Sequence, residues 1–405
     1  MQNKILGGIL LVAGTTIGAG MLALPAVTGH AGFFPSILLF VFYWAFFAYT
    51  ALLVLETTLW MDGNTNLTSM ARRTTGKWGE VFTWVVYLFL LYSLSTAYLA
   101  GSSDIVLEFL NSFFKTSVPG WVGPIPLLCI FGFFVYRGAR YVDGINRILM
   151  CGLMVTYAIT IYFLAPHVDK ELLFQKNWRF LLISNSVIAT SFGFHIIIPT
   201  LSSYMNYDVK KLFTAIVIGS CIPLVIYILW EWVSLGILPL EGDYGIIQGY
   251  REGYTGAHLL TGLLKNDSLT SVFRCFAFFA IVTSFLGVTI SLHDFLADGF
   301  KIHNTGSGKI KISLLTFLPI FVFMWINPRA FLTALEYAGG FGVMLLLGFL
   351  PALMVWKGRY TVGFPSRFRA PGGKKTLLAV MVFSWLMVLL EVVNKLGFTH
   401  YITGL

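Results

Sequence analysis

Apolar residues recur along this chain in long unbroken runs, and polar residues gather between them. Runs of roughly 17 to 30 residues fall at 5–28, 33–58, 81–112, 122–136, 144–165, 181–204, 212–239, 270–297, 312–326, 330–355 and 377–396. A helix rises 1.5 Å per residue, so about 20 apolar residues cross a hydrocarbon layer of about 30 Å. The pattern predicts an all-α polytopic membrane protein with eleven transmembrane helices. The fourth and ninth runs are short, about 15 residues each, and are expected to extend into their flanks. No stretch between runs is long enough for a separate soluble domain, so residues 1–405 form a single transmembrane domain.

Two of the runs have weak centres. The first holds "AGTTIGAGMLALP", Ala13 to Pro25, and the sixth holds "ATSFGFHIIIP", Ala189 to Pro199. Each reads Thr, then Thr or Ser, an apolar residue, then Gly, with Pro six or seven residues on. Glycine and proline are poor residues for a continuous helix interior. Gly14 and Gly18 also form G-x-x-x-G, which on its own reads as tight helix packing. The matching motif five spans later favours another account. An odd number of spans per repeat turns the second copy upside down, so the pair fits a five-plus-five inverted repeat with broken helices one and six. Repeat one is 5–165, repeat two 181–355, and 377–396 is an extra C-terminal helix. Unwinding a helix in hydrocarbon exposes backbone groups at several kcal/mol each, about. It persists where something polar satisfies them. Half-helix N-termini suit a carboxylate, and freed carbonyls suit an amine or a small cation.

Composition agrees with this class: 57% of residues are hydrophobic and 11% charged, with a mean hydropathy of +0.80. Lys4 before an apolar run imitates a signal peptide, but no A-x-A-like site follows, and retention is expected. Most of the 27 Lys and Arg fall on one side if the N-terminus is cytoplasmic, which puts the C-terminus outside. The formal net charge of +9 is thus mainly a topology signal. It carries no clustered basic face with stacking aromatics, so no nucleic-acid partner is expected. The basic stretch 357–375 suits anionic membrane lipid, and no segment demands an obligate protein partner. Cys129, Cys151, Cys221 and Cys275 lie in or beside spans without C-x-x-C spacing and read as small buried side chains.

"GGILLVAGTTIGAGMLALP", "SFGFHIIIPTLSSYM" and "TSFLGVTISLHDFLAD" resemble the hydroxy/aromatic amino acid permease family, over essentially the whole chain. The resemblance implies the leucine-transporter-type fold and a bacterial inner-membrane location. It further implies import of an aromatic amino acid, tyrosine first, by cation symport with alternating access, and no cofactor beyond a coupling ion.

With that frame, Gly14 to Gly20 should unwind, and the amides near Gly18, Ala19 and Gly20, beside Thr15 and Thr16, should face a substrate carboxylate. Ala189, Thr190, Ser191 and Gly193 should offer carbonyls or hydroxyls to the amine. Phe192 or Phe194 either stacks on an aromatic ring, gates, or packs. His195 is either functional or a neutral imidazole bonded to freed backbone. Tyr92, Ser95, Thr96 and Tyr98 lie near mid-depth of span three and are side-chain pocket candidates. The first three lie close to one helical face through i+3 and i+4 spacing, and aromatic packing is the other account of the tyrosines. Glu231 lies deep in span seven. It either balances a cation, carries a proton as His195 also could, or pairs with Arg274. Glu56 and Asp294 sit near span ends, where solvent or loop pairing suffices.

The coupling ion rests on a departure from the family pattern. Members of the family carry a lysine on span five shortly after an "NR" pair, able to stand in for sodium between spans one and eight. Here "NRILMCGL" has Leu153 at that position. The carbonyls of Gly14, Ile17 and Ala280 with the hydroxyls of Thr283 and Ser284 compose an oxygen cage suited to Na+. The competing expectation is proton coupling with tryptophan or phenylalanine as substrate. An enzyme is disfavoured, since no H-E-x-x-H or G-x-S-x-G motif occurs. A channel would need a continuous polar pore, whereas polarity here is concentrated at two breaks.

Overall fold

A computed structural model describes residues 4–61, 65–263, 267–303, 306–327, 330–365 and 367–397. It is an all-α polytopic bundle, without a strand among the described residues. The first span is two helices, α1 (Lys4–Thr16) and α2 (Gly20–Thr28), bent by 53° where they meet. α3 (Phe33–Leu59) crosses back, and the short amphipathic α4 (Leu67–Thr75) follows, with a capping box between Asn66 and Ser69. Next come α5 (Lys77–Phe114), α6 (Pro124–Arg137) and α7 (Ala139–Leu164). Gly138, at φ 107°, takes the left-handed turn that joins α6 to α7 without a loop.

After the short α8 (Lys170–Phe174), the sixth span is again in pieces. α9 (Leu181–Ser191) stops, a 3₁₀ turn covers His195–Ile197, and α10 (Ile198–Tyr204) completes the crossing. α11 (Val209–Leu235) follows, started by Asp208 as its N-cap. The loop after it folds into α12 (Ile246–Glu252) and α13 (Gly256–Leu263). The remaining spans are α14 (Asp267–Gly299), α15 (Gly306–Ile326), α16 (Ala330–Tyr337) with its π-helical continuation Ala338–Phe349 into α17 (Leu350–Lys357), and α18 (Lys374–Lys395).

Ten of these crossings are long and apolar enough by themselves, and the bent α1–α2 pair makes eleven. The expected runs therefore reappear, with shifted ends. α5 starts at Lys77, four residues early, and α15 at Gly306, six early; α11 ends at Leu235, four before the apolar run does. A helix ends where its backbone loses partners, not where side chains turn polar. The unwound part of the first span is also narrower than Gly14 to Gly20. Gly14 to Thr16 remain in α1 and Gly20 opens α2, which leaves Ile17 to Ala19. The cysteines differ from the expectation of burial: Cys129, Cys151 and Cys275 are exposed on outward faces of their spans, and Cys221 is half-buried.

The centre of the bundle is the two interrupted spans. Every residue of α2 is buried. α1 packs along α11, α2 along α9, and α14 against both α5 and α7. α15 and α18 lie further out, with most of their surface facing away from the bundle. In lipid no hydrophobic gain separates inside from outside, so close contact and satisfied polar groups hold such a bundle. Two glycines of the π-helical stretch provide contact. A Cβ on Gly339 would strike the Ser186 carbonyl and the Thr190 hydroxyl, and one on Gly340 would strike the Glu391 side chain.

Candidate functional site at the two helix breaks

Both breaks end in carbonyls that have lost their helical partners. At the first, Ile17 N–H still donates to Ala13 O at 2.9 Å, and the chain then turns. The Thr16 carbonyl, facing the gap, accepts from the Tyr227 phenol at 2.7 Å. At the second, α9 stops at Ser191, and the Ser191 carbonyl lies 2.9 Å from the same phenol. Tyr227 sits on α11 and is fully buried. One hydroxyl thus joins the carbonyl ends of two half-helices. It has one proton for two carbonyl acceptors, which must share it.

The amide side of the first break meets α14. Ala19 N–H donates to Ser284 Oγ at 3.0 Å, and Ser284 Oγ in turn donates to the Ala280 carbonyl at 3.0 Å. Thr283 Oγ1 lies 2.8 Å from Phe279 O and 3.2 Å from Ala280 O. Close approach is possible because residues 18 and 20 lack side chains. A Cβ at Gly18 would overlap Ser284 Oγ, and one at Gly20 would lie 2.8 Å from Ser191 Oγ.

A cavity of 560 Å³ lies at this point. Gly14, Thr15, Thr16, Ile17, Gly18 and Gly20 line it from the first span, and Thr190, Ser191 and Gly193 from the sixth. Thr283 and Ser284 close it from α14. It continues past Tyr87, Asn146, Thr200 and Ser291 toward the face on which α1 begins. Its size is that of a small-molecule site, with mixed apolar and hydroxyl walls.

The candidate residues from the sequence divide into three groups. Gly14, Thr15, Thr16, Ile17, Gly18, Gly20, Thr190, Ser191, Gly193, Thr283 and Ser284 come together around the cavity. Ala19 and Ala280 stand just behind it, fully buried, and touch it through their bonds to Ser284. The others point elsewhere. Ala189 is buried in packing. Phe192 lies edge-on to Phe40 and Tyr227, and Phe194 lies against His195. His195 is fully buried, with Nε2 2.8 Å from Thr50 Oγ1 on α3, so its partner is a hydroxyl and not freed backbone. Tyr92 sends its hydroxyl to the Leu315 carbonyl at 2.7 Å, Thr96 bonds back to Tyr92 O, and Ser95 is buried.

Glu231 is fully buried and accepts a hydrogen bond from Thr28 Oγ1 at the far end of α2. The pairing with Arg274 does not occur. Arg274 Nε lies 3.2 Å from Glu108 Oε2. An arginine reaches whichever carboxylate shares its level in the bundle, and that residue is on α5. For Glu56, expected to be met by solvent or by loop pairing, the second holds: it is fully buried and ion-paired to Arg359 of the basic stretch 357–375.

Several residues around the cavity carried no separate signal in the residue types. On α5 these are Tyr87, Leu91 and Leu94, which with the expected Tyr98 are spaced four, three and four. That stripe is one face of a helix, adjacent to the face of Tyr92, Ser95 and Thr96. Tyr227 stands one turn before Glu231 in "LVIYILWEW", where a second polar atom on the same buried face was the available signal. Leu153, at the position where the resembled family has lysine, is buried and shares a small gap with Ile17 and Tyr157.

Comparison with known proteins gives consistent results. Residues 1–391 match the tryptophan/tyrosine permease family. The tyrosine-specific transport systems 2 and 1 of Haemophilus influenzae are 31% identical over 422 residues and 32% over 414, covering all of this chain and all of each relative. The tryptophan-specific transport protein of Pseudomonas aeruginosa is 30% identical over 388 residues, covering 94% of this chain and 93% of that protein.

Proposed function

Because this chain belongs to the tryptophan/tyrosine permease family, we propose that it imports tyrosine across the bacterial inner membrane by sodium symport with alternating access. It is a multi-pass membrane protein and a permease, not an enzyme. The observation that carries the reading is the cavity shared by two interrupted spans. Gly18 and Gly20 give a carboxylate access to backbone at the start of α2, where the helix dipole is positive. Thr190 and Ser191 supply hydroxyls at the end of α9, where carbonyls suit an ammonium group. Tyr87 and Tyr98 furnish aromatic walls for the ring. A polar partner for the substrate phenol would set tyrosine above phenylalanine, because that partner would be stranded by a bare ring.

The interruptions five spans apart support a five-plus-five inverted repeat, 5–165 and 181–355, with α18 as an extra helix. Sodium is favoured by the oxygens at the first break. Thr283 and Ser284 line the same cavity as Gly14 and Ile17, their hydroxyls lie 3.2 and 3.0 Å from Ala280 O, and Leu153 places an apolar side chain near Ile17. With the N-terminus cytoplasmic, the cavity opens inward and this conformation is the inward-facing one. The test is labelled L-tyrosine uptake into proteoliposomes under separately imposed sodium and proton gradients. Sodium-driven accumulation, inhibited by aromatic amino acids but not by leucine or lysine, supports the reading. Full accumulation on a proton gradient in sodium-free buffer replaces sodium by the proton, with Glu231 and His195 as carriers to examine.

A further inference from the structure

A second cavity, of 210 Å³, lies beyond the first on the side away from the start of α1. Its walls are charged and aromatic: Asp104, Glu108 and Asn111 of α5, Tyr254 and His258 at α13, and Arg274 of α14. The two cavities follow one track. On α5 the inner one is lined by Tyr87, Leu91, Leu94 and Tyr98, and the outer one by Gly101, Ile105 and Glu108. These seven positions advance by four and three in alternation, so they are a single helix face. α14 does the same, with Arg274 and Ala277 outside and Ser284, Val288 and Ser291 inside.

Between the compartments the track is shut. A Cβ on Gly101 would come within 2.7 Å of the Phe331 ring and 3.2 Å of Ile281, and both side chains are buried.

The chemistry of the outer walls matches a zwitterion. Glu108 holds two groups at once, His258 Nδ1 at 2.8 Å and Arg274 Nε at 3.2 Å. Arginine carries five N–H donors, more than one carboxylate oxygen can use. Asp104, one turn before Glu108, is exposed to the cavity. The Tyr254 ring lies 4.2 Å from the His258 ring, tilted by 32°, and gives an aromatic surface beside the charges. A cation for a carboxylate, a carboxylate for an ammonium and a ring for a ring thus stand around one small space.

We propose that this outer cavity is a second amino-acid site, where an aromatic zwitterion is captured before the seal at Phe331 and Ile281 opens. Arg274 takes the carboxylate, Asp104 the ammonium group, and Tyr254 the ring. The proposal rests on the transporter reading of the inner cavity. It adds a compartment that the breaks do not require.

Two measurements test it. In cells, Asp104→Asn and Arg274→Gln should each raise the external half-saturation for L-tyrosine about tenfold, the loss of one charge-assisted contact. Membrane levels of each variant are checked by immunoblot, and Arg274→Lys should fall between wild type and Arg274→Gln. In detergent, purified wild type should bind two labelled L-tyrosine molecules per chain, and each outer variant one. Gly18→Leu, which fills the inner site, should keep one, and lose it when combined with Asp104→Asn. One tyrosine per wild-type chain, with external half-saturation unchanged in both variants, overturns the proposal. A silent Asp104→Asn beside an impaired Arg274→Gln also overturns it, since the cluster would then only fasten α13. A wild-type protein that takes up no aromatic amino acid removes the transporter reading instead, and binding stoichiometry is read without uptake.

Discussion

The Tyr227 phenol lies 2.7 Å from the carbonyl of Thr16, and the same oxygen is 2.9 Å from the carbonyl of Ser191. The ends of α1 and α9 are thereby held a fixed distance apart by a residue on a third helix. Removing the hydroxyl takes away the one proton that these two buried carbonyls share. Tyr227→Phe should cost about 1–3 kcal/mol of stability and sharply slow uptake. Thermal unfolding in detergent and initial uptake rates check the two effects. A variant with wild-type melting and transport would mean that water replaces the phenol without loss.

Gly18 and Gly20 stand where the chain cannot accept a side chain without moving Ser284 or Ser191. Gly18→Leu and Gly20→Leu should abolish tyrosine uptake while the protein still reaches the membrane. Normal tyrosine affinity in both would reduce the break to a packing feature.

Sodium dependence should reside at α14. At fixed pH an inward sodium gradient should raise uptake, and Thr283→Ala with Ser284→Ala should shift the half-saturating sodium concentration upward. Ser284 also holds the Ala19 amide, so the single Thr283→Ala variant is the cleaner reporter. An unchanged sodium response in that variant, with uptake intact, would move the ion elsewhere.

Glu56 and Arg359 form a buried ion pair closed by backbone. Arg359 donates to Glu56 Oε1 at 2.7 Å, to Ala370 O at 2.8 Å and to Gly372 O at 3.1 Å, and Ala370 N–H returns a bond to Glu56 Oε2 at 2.8 Å. Breaking the pair leaves a charge without its partner. Arg359→Leu should destabilise by about 3–5 kcal/mol, and the double variant with Glu56→Leu should recover part of that loss. Detergent melting of the two single variants and the pair measures it.

Glu391 ties the last helix to the sixth span. Its Oε2 accepts from Ser186 Oγ at 2.5 Å, while Lys395 Nζ stands 3.7 Å from its other oxygen and 2.5 Å from Glu336. Ser186 is one turn before Thr190 on α9, and Thr190 lines the inner cavity. Ser186→Ala and Glu391→Leu should therefore be non-additive, with a coupling of about 1.5–3 kcal/mol in a double-mutant cycle. Glu391→Gln, which keeps an acceptor, should lose much less. Additive losses would separate α18 from the substrate site.

The spans, their number and the two weak centres were legible in the residues themselves. Hydrocarbon permits few backbone forms, so run length alone defines a crossing, and Gly-rich, hydroxyl-bearing centres followed by proline mark where a helix lets go. The sides of those helices were not legible. Tyr92, Ser95 and Thr96 are as polar as Tyr87 and Tyr98, yet only the latter two face the inner cavity. Phe192 directly follows Ser191 and His195 directly precedes Ile196, both of which line the cavity, yet Phe192 and His195 pack against α3 and α11. In water a polar face turns outward and an apolar face inward, so pattern reveals rotation. In lipid both the surroundings and the core are apolar, and that signal is lost. What sets the rotation of α5, and brings Tyr227 of α11 to the carbonyls of two other helices, is contact between crossings far apart in sequence. That decision belongs to the assembled bundle.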